Sequence, residues 1–153
     1  MKKIFIIVLS ILLLVGCTHK MNQDDDKKRI YLSDSYYNKG EFINIESKEL
    51  LDKVNDTYLL FTYNSYCNLP VSCEEIFKSF AKKYKIDFLA IPIDEFKNTK
   101  FYRTVKYAPS VMIIKNDEII AYLDAESDAD LNRYQNLEEF ESWLDNYIYF
   151  NKK

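Results

Sequence analysis

Beyond Gly40 the chain alternates between short apolar runs and segments whose apolar residues repeat at helical spacing. Runs of this length between polar residues predict buried strands, and they cover residues 42–45, 58–63, 87–93, 111–114 and 119–123. The nearly continuous run at 58–63 is typical of a central strand that is covered on both faces. The polar link at 116–117 is so short that the last two strands are predicted to form an antiparallel hairpin.

The segments between these strands predict four helices. Ser47 and Ser72 occupy N-cap positions, and Ser72 with Glu75 has the spacing of a capping box. Asn136 is predicted to cap the last helix, and a short helix is expected over residues 99–105. The clearest inward face follows Ser72 and comprises Cys73, Ile76, Phe77, Phe80, Ala81 and Tyr84.

The beginning of the chain predicts an export signal. Lys2 and Lys3 give a basic start, and residues 4–15 are apolar except for Ser10. Twelve helical residues rise only about 18 Å, which is short of the roughly 30 Å hydrocarbon core of a bilayer. A cleaved signal peptide over residues 1–16 is therefore favoured over a permanent transmembrane helix.

This signal ends in Leu-Val-Gly-Cys at residues 14–17, a sequence that resembles the bacterial lipobox. The resemblance implies cleavage before Cys17 and attachment of lipid to its thiol, with palmitate among the acyl chains. The polar residues 17–39 are expected to form a flexible tether, followed by one folded domain over residues 40–153. The expected location is the extracytoplasmic side of the cell membrane.

Composition and charge narrow the range of functions. The 153 residues are 48% hydrophobic and 16% aromatic, which suffices for one packed core but not for two ordinary domains. A formal net charge of −3 without a basic stripe gives nucleic-acid binding no electrostatic support. The single histidine, His19, lies in the leader, so catalytic triads and zinc sites built on a rigid imidazole are excluded.

One acidic cluster has the spacing of a metal-binding loop. Its members alternate along the chain like the start of a calcium loop: Asp124, Glu126, Asp128 and Asp130. The glycine and the closing glutamate of such a loop are absent. We therefore expect a solvated acidic loop and no metal site.

The order of predicted elements, β-α-β, helix, β-α-β-β-α, resembles the thioredoxin fold. A cysteine pair, Cys67 and Cys73, straddles the junction between a central strand and an N-capped helix. Residues 107–119 resemble the cis-proline segment of that family together with the strand and charged turn that follow it. The resemblance spans about residues 41–150 and implies an α/β domain with a central mixed β-sheet flanked by helices.

The resemblance also implies a function. Cys67 matches the attacking cysteine of a thiol–disulfide oxidoreductase, and Cys73 matches its resolving partner. Ala108 and a cis-bonded Pro109 are expected to present backbone to an extended substrate, with Tyr66 beside them in place of the family's tryptophan. Such an enzyme, expected to be a monomer, needs no cofactor, and its partners would be exported or envelope proteins that contain cysteines.

The chain departs from the family's pattern at two points. Five residues rather than two separate Cys67 from Cys73, and the acidic residue that many members bury beneath the site falls at Phe61. The pair is therefore open to three interpretations: a redox-active centre, a structural disulfide or two unpaired thiols. The alternative function is a non-catalytic thioredoxin-fold module that binds an envelope partner.

The identity of the nucleophile is also open. If Ser72 caps the helix, the dipole favours a thiolate at Cys73, whereas accessibility favours Cys67, because a thiolate must reach the sulfur of its substrate. If the helix instead began near Asn68, the two cysteines would point to different faces and could not bridge. The capping signature favours the first arrangement.

Overall fold

The computed structural model describes residues 29–64 and 72–153. Five strands form one sheet: β1 (Phe42–Asn44), β2 (Thr57–Tyr63), β3 (Phe88–Pro92), β4 (Ser110–Lys115) and β5 (Glu118–Tyr122). Their order across the sheet is β1-β3-β2-β4-β5. The first three run parallel, β4 pairs antiparallel with β2, and β5 pairs antiparallel with β4, so the predicted mixed sheet is confirmed. The order places β2 at the centre, as its apolar run predicted.

Helices cover both faces of the sheet. They are α1 (Lys48–Leu51), α2 (Cys73–Tyr84), α3 (Ile93–Phe96), α4 (Leu131–Gln135) and α5 (Leu137–Asp145). The ring of Phe77 on α2 lies 4.6 Å from Phe140 on α5 and 5.6 Å from Phe61 on β2. On the other face the ring of Tyr58 lies 5.9 Å from Tyr36. The core therefore has two layers, one on each side of β2.

The predicted starts of the two long helices are confirmed in position. Asn136 caps α5, because its side-chain oxygen accepts hydrogen bonds from the amides of Glu138 and Glu139 at 2.8 and 3.2 Å. Ser72 is the N-cap of α2 but makes no side-chain capping bond. Its backbone carbonyl accepts the amide of Glu75 at 2.9 Å instead. The predicted capping box is thus not formed, although the helix begins where it indicated.

Two other helix predictions differ from the structure. The segment expected to be helical over 99–105 is a four-residue 3₁₀ turn, Lys100–Arg103. Its bonds from Tyr102 to Thr99 and from Thr104 to Phe101 span three residues, too short a repeat for an α-helix. Helices α3 and α4 were not predicted, because segments of four and five residues with one buried side chain each, Phe96 and Tyr134, carry no detectable periodicity.

The folded part of the chain extends upstream of the predicted boundary at residue 40. Ile30 forms a parallel bridge with Ile148, and Leu32 is buried with 2% of its surface exposed. The hydroxyl of Tyr37 donates a hydrogen bond to the carbonyl of Tyr149 at 2.7 Å. Residues 30–39, predicted to belong to a flexible tether, therefore pack on the domain. Their apolar side chains pack against residues near the end of the chain. The sequence did not indicate this packing, because most residues of the segment are polar.

A buried carboxylate anchors the loop that leads into β1. Asp87, 1% exposed, accepts the amides of Lys39, Gly40 and Glu41 on one oxygen at 3.2, 2.7 and 2.8 Å. Gly40 has φ of 76°, and a Cβ there would lie 2.2 Å from the carbonyl oxygen of Ala81. The loop therefore lies so close to the backbone of α2 that a residue with a Cβ would not fit at position 40.

Candidate functional site

The candidate site lies at the carboxyl end of the central strand. β2 ends at Tyr63, which pairs with Pro92 at the end of β3. Because β4 runs antiparallel, its first residue, Ser110, pairs with Thr62 at the same end of the sheet. The end of β2 and the segment before Ser110 are therefore neighbours. The predicted site residues Tyr66 and Cys67, like the lipidation residue Cys17, lie outside the described residues.

Cys73 is the first residue of α2 and is buried, with 2% of its surface exposed. Its position at the head of the inward face agrees with the sequence pattern. The first-turn amides of a helix have no intrahelical acceptors, so the helix N-terminus favours a thiolate over a thiol. Burial opposes this effect, because it disfavours the charged form of the sulfur. The chemistry of Cys73 therefore depends on what else faces it.

The predicted cis bond is present between Ala108 and Pro109. The carbonyl of Ala108, which was expected to be available to a substrate strand, accepts a hydrogen bond from the side-chain amide of Asn64 at 3.1 Å. Asn64 was missed in the sequence because a single polar residue after an apolar strand carries no motif. It connects the end of β2 to the segment before β4.

A cleft of about 420 Å³ opens beside this hydrogen bond. Its polar lining comes from the residue after β2, from α3 with the residue that follows it, and from the segment before Pro109: Asn64, Asp94, Lys97, Lys106 and Tyr107. Lys97 pairs with Asp94 at 3.1 Å, and the ammonium of Lys106 lies 4.3 Å from the ring centroid of Tyr102. Tyr107 is 51% exposed at the rim. The cleft is therefore polar, open and slightly cationic.

Comparisons with known proteins bear on the fold. No protein-family model and no curated protein matches the chain. It is similar to a mutant thioredoxin from Halobacterium salinarum, with a TM-score of 0.53 and 17% identity, over 75% of this chain and 97% of that one. It is also similar to a candidate oxidoreductase with a thioredoxin fold, with a TM-score of 0.50 and 13% identity, over 65% of this chain and 90% of that one. This chain has a thioredoxin fold.

Phe61, which the sequence resemblance places at the position of the family's buried acid, belongs to an aromatic cluster. Phe61, 2% exposed, lies 5.4 Å from Phe42, 5.6 Å from Phe77 and 5.8 Å from Tyr63, measured between ring centroids. A carboxylate could not replace it without losing these contacts and burying a charge. Position 61 thus stabilises the core and supplies no proton acceptor.

Two buried hydroxyls meet at the carbonyl of Leu123, and sequence reasoning missed them. Tyr134 donates a hydrogen bond to the carbonyl of Leu123 at 3.0 Å, and Ser110 donates to the same oxygen at 2.5 Å. The ring of Tyr134 lies 5.8 Å from that of Phe77, on the first turns of α2. Burial raises the pKa of the Tyr134 hydroxyl, and a hydrogen bond with Ser110 opposes this effect.

The acidic loop is only partly solvated, in contrast to the sequence-based expectation. Asp130 is 8% exposed, accepts the amide of Asp124 at 2.9 Å and pairs with Arg133. It therefore closes the turn before α4 rather than facing water. Within residues 29–64 and 72–153, no group of His, Cys, Asp and Glu is arranged to hold a metal ion. Nor does a helix in this part of the chain combine the length and apolarity that crossing a bilayer requires.

Proposed function

We propose that this protein is a lipid-anchored thiol–disulfide oxidoreductase that acts on the cysteines of exported proteins through Cys67 and Cys73. The observation that carries the proposal is the position of Cys73. It begins the helix that follows the central strand of a thioredoxin fold, at the end of the sheet where Ala108 and Pro109 lie. The cleft beside Ala108 offers room for a substrate segment.

The chemistry follows from a cysteine pair of which one member, Cys73, is buried. The thiolate of Cys67 attacks one sulfur of a substrate disulfide; a mixed disulfide forms and the other substrate sulfur leaves as a thiolate. The thiolate of Cys73 then attacks Sγ of Cys67. The bond between Cys67 and Cys73 forms, the mixed disulfide breaks, and the substrate leaves with both sulfurs reduced. The reverse sequence oxidises a substrate dithiol.

The proposed anchor suits this role. The folded domain is held at its upstream end by Ser33, whose amide donates to the carbonyl of Thr57 at 2.8 Å, at the amino end of β2. The candidate site lies at the opposite end of that strand. A lipid on Cys17 would hold the domain at the membrane by its upstream end and leave the site, at the opposite end of β2, available to exported proteins.

The test uses the full-length chain in detergent and in cells. The Cys73→Ser variant cannot resolve mixed disulfides, so it should accumulate covalent complexes with exported proteins that a reductant releases. The Cys67→Ser variant is the matched control, because it retains a cysteine at the helix start and should trap none. Purified wild-type protein should also reduce a model disulfide or oxidise a model dithiol.

A different result would favour the other function. A pair that resists dithiol until the protein unfolds, with no trapped complexes and no exchange activity, indicates a structural disulfide. In that case the thioredoxin fold serves as a binding module for an envelope partner, and the proposed enzymatic function is wrong.

A further inference from the structure

The chain between α3 and β4 carries only positive charge. The whole protein has 24 acidic and 21 basic residues, yet residues 97–106 contain no acid and four cations: Lys97, Lys100, Arg103 and Lys106. Two of these cations have acidic partners, because Lys97 pairs with Asp94 at 3.1 Å and Lys100 pairs with Asp117 at 2.7 Å. Arg103 and Lys106 are exposed and pair with no carboxylate of the described residues. This segment is therefore a basic region on an acidic protein.

Lys97 and Lys106 line the cleft beside Ala108, and Asp94 is the one carboxylate among the described residues that line it. The pair between Lys97 and Asp94 contributes little, because the Asp94 side chain is 88% exposed. The ammonium of Lys106 lies 4.3 Å from the ring centroid of Tyr102. A cation held on the face of an aromatic ring keeps its N–H groups for another acceptor. Lys106 can therefore bind an anion in the cleft.

The backbone beside Lys106 adds further donors. The amides of Lys106, Tyr107 and Ala108 donate to no acceptor within residues 29–64 and 72–153. The carbonyl of Ala108, by contrast, already accepts the side-chain amide of Asn64. An amide without an internal acceptor needs an oxygen from water or from a ligand. This side of the cleft therefore favours a ligand that supplies oxygen acceptors and negative charge.

We propose that the cleft recognises an acidic segment of the substrate protein, with Lys97 and Lys106 contacting carboxylates on side chains close to the substrate's cysteines. The inference rests on the proposed function and adds a class of substrate to it. Outside residues 97–106 the chain has an excess of acids, so an acidic segment is repelled by most of the surface. The cleft attracts it, which favours one orientation of the bound substrate.

The position of the cleft favours a protein segment over an anionic lipid. Ser33, near the upstream end of the described domain, bonds to Thr57 at the amino end of β2. The cleft is lined by Tyr63 and Asn64, at the carboxyl end of the same strand. A lipid on Cys17 would hold the domain by the first of these ends. A small inorganic anion would fill only part of a cleft of about 420 Å³.

The test measures binding without disulfide chemistry. The full-length lipidated protein in neutral phosphatidylcholine nanodiscs is titrated with fluorescent peptides that contain no cysteine. The peptides differ only in carrying glutamate, glutamine or lysine at the same positions. The glutamate peptide should bind about tenfold more tightly than the glutamine peptide, as expected for two exposed ion pairs, and the lysine peptide should bind least. Added salt should reduce this preference.

Lys106→Glu reverses one charge of the cleft. It should weaken binding of the glutamate peptide about tenfold and strengthen binding of the lysine peptide, a gain that a misfolded protein would not produce. Lys53→Glu is the matched control, because Lys53 is exposed before the amino end of β2 and its substitution changes the net charge equally. The control should keep the wild-type preference. Equal effects of the two variants would mean that net charge alone selects the peptide and would overturn the proposal.

A second measurement uses the chain without substitutions. Acylation of lysines by a water-soluble reagent, followed by mass spectrometry, should slow at Lys97 and Lys106 when the glutamate peptide is added. Acylation of Lys53 should not change. Slowing by inorganic phosphate alone would assign the two lysines to a free anion. Slowing in phosphatidylglycerol nanodiscs without peptide would assign them to the membrane, and either result would overturn the proposal.

This inference and the proposed function fail in different ways. A protein that binds the glutamate peptide but has no exchange activity would overturn the enzymatic function and leave the recognition of acidic segments intact. A protein that reduces disulfide peptides flanked by glutamate and by lysine at equal rates would overturn the recognition and leave the enzymatic function intact.

Discussion

The side-chain amide of Asn64 donates a hydrogen bond to the carbonyl of Ala108 across 3.1 Å, and so joins the end of β2 to the residue before Pro109. The two residues are 44 positions apart in the chain. This bond holds together two of the segments that form the candidate site, and it occupies an acceptor at the rim of the cleft.

Asn64→Ala should lower the free energy of unfolding by about 1 kcal/mol, the usual contribution of one partly buried hydrogen bond. Denaturant unfolding measures the change. Asn98→Ala is the control, because its amide reaches the carbonyl of Asp94 at 3.4 Å on an exposed surface and should contribute less than about 0.5 kcal/mol. Equal losses in both variants would mean that the Asn64 bond does not hold the segment.

Asp87→Ala should destabilise the domain by about 3 kcal/mol or more. The carboxylate accepts three backbone amides that would be left without it, and hydrogen bonds to a charged group are the stronger ones. Urea unfolding provides the measurement. Asp94→Ala removes a carboxylate that is 88% exposed and should stay within about 0.5 kcal/mol of wild type; a comparable loss there would contradict the anchoring role.

Gly40→Ala should destabilise the domain by about 2 to 3 kcal/mol, because the backbone is in the left-handed region and the new Cβ meets backbone rather than a movable side chain. The added carbon would lie 2.2 Å from the carbonyl oxygen of Ala81, so α2 must shift. Lys39→Ala, at the exposed neighbouring position, is the control for thermal unfolding and should have little effect. A stable Gly40→Ala protein would show that the loop can move away.

Stability should fall in alkaline solution through Tyr36. Burial, and secondarily the charge of Asp56, raises the pKa of Tyr36 from 10.0 to about 12. The folded state therefore holds this proton more tightly than the unfolded chain. Its contribution is complete below about pH 10 and is lost as the pH rises toward about 12. Burial likewise raises the pKa values of Tyr58 and Tyr134. A variant that lacks only one of the three hydroxyls therefore still loses part of its stability at alkaline pH.

The variant Tyr36→Phe isolates this contribution. Its free energy of unfolding, measured from neutral to alkaline pH, should fall less steeply than that of wild type above about pH 10. At neutral pH, where the hydroxyl is protonated in both states, the two slopes should coincide. Parallel curves over the whole range would mean that Tyr36 titrates alike in the folded and unfolded chains.

Mature protein should begin at a lipidated Cys17 and partition into detergent. Cys17→Ala should prevent both processing and lipid attachment, because the lipobox requires the thiol. Intact-mass analysis and detergent partitioning measure the outcome, and Cys67→Ser is the matched cysteine variant that should still be lipidated. An unmodified Cys17 in the mature chain would contradict the proposed anchor.

Local patterns in the sequence determined most of the elements. The apolar runs located the strands, Ser72 and Asn136 marked the beginnings of α2 and α5, and the polar pair Asn116 and Asp117 marked the hairpin. These predictions hold because the physical causes are local. Capping acts within one helical turn, and a two-residue hairpin needs positive φ at both positions, here 49° and 66°.

The tertiary structure decided which distant residues meet. Tyr37 reaches Tyr149, which is 112 positions away, so the segment that reads as a polar tether becomes part of the core. Asp87 meets Gly40, and Tyr134 packs against Phe77, without any motif connecting them. Such contacts depend on the order and pairing of the strands. They stabilise the fold only after the chain between the two residues has closed into a loop. A single polar residue or a lone buried tyrosine therefore carries no sign of its partner until the sheet has formed.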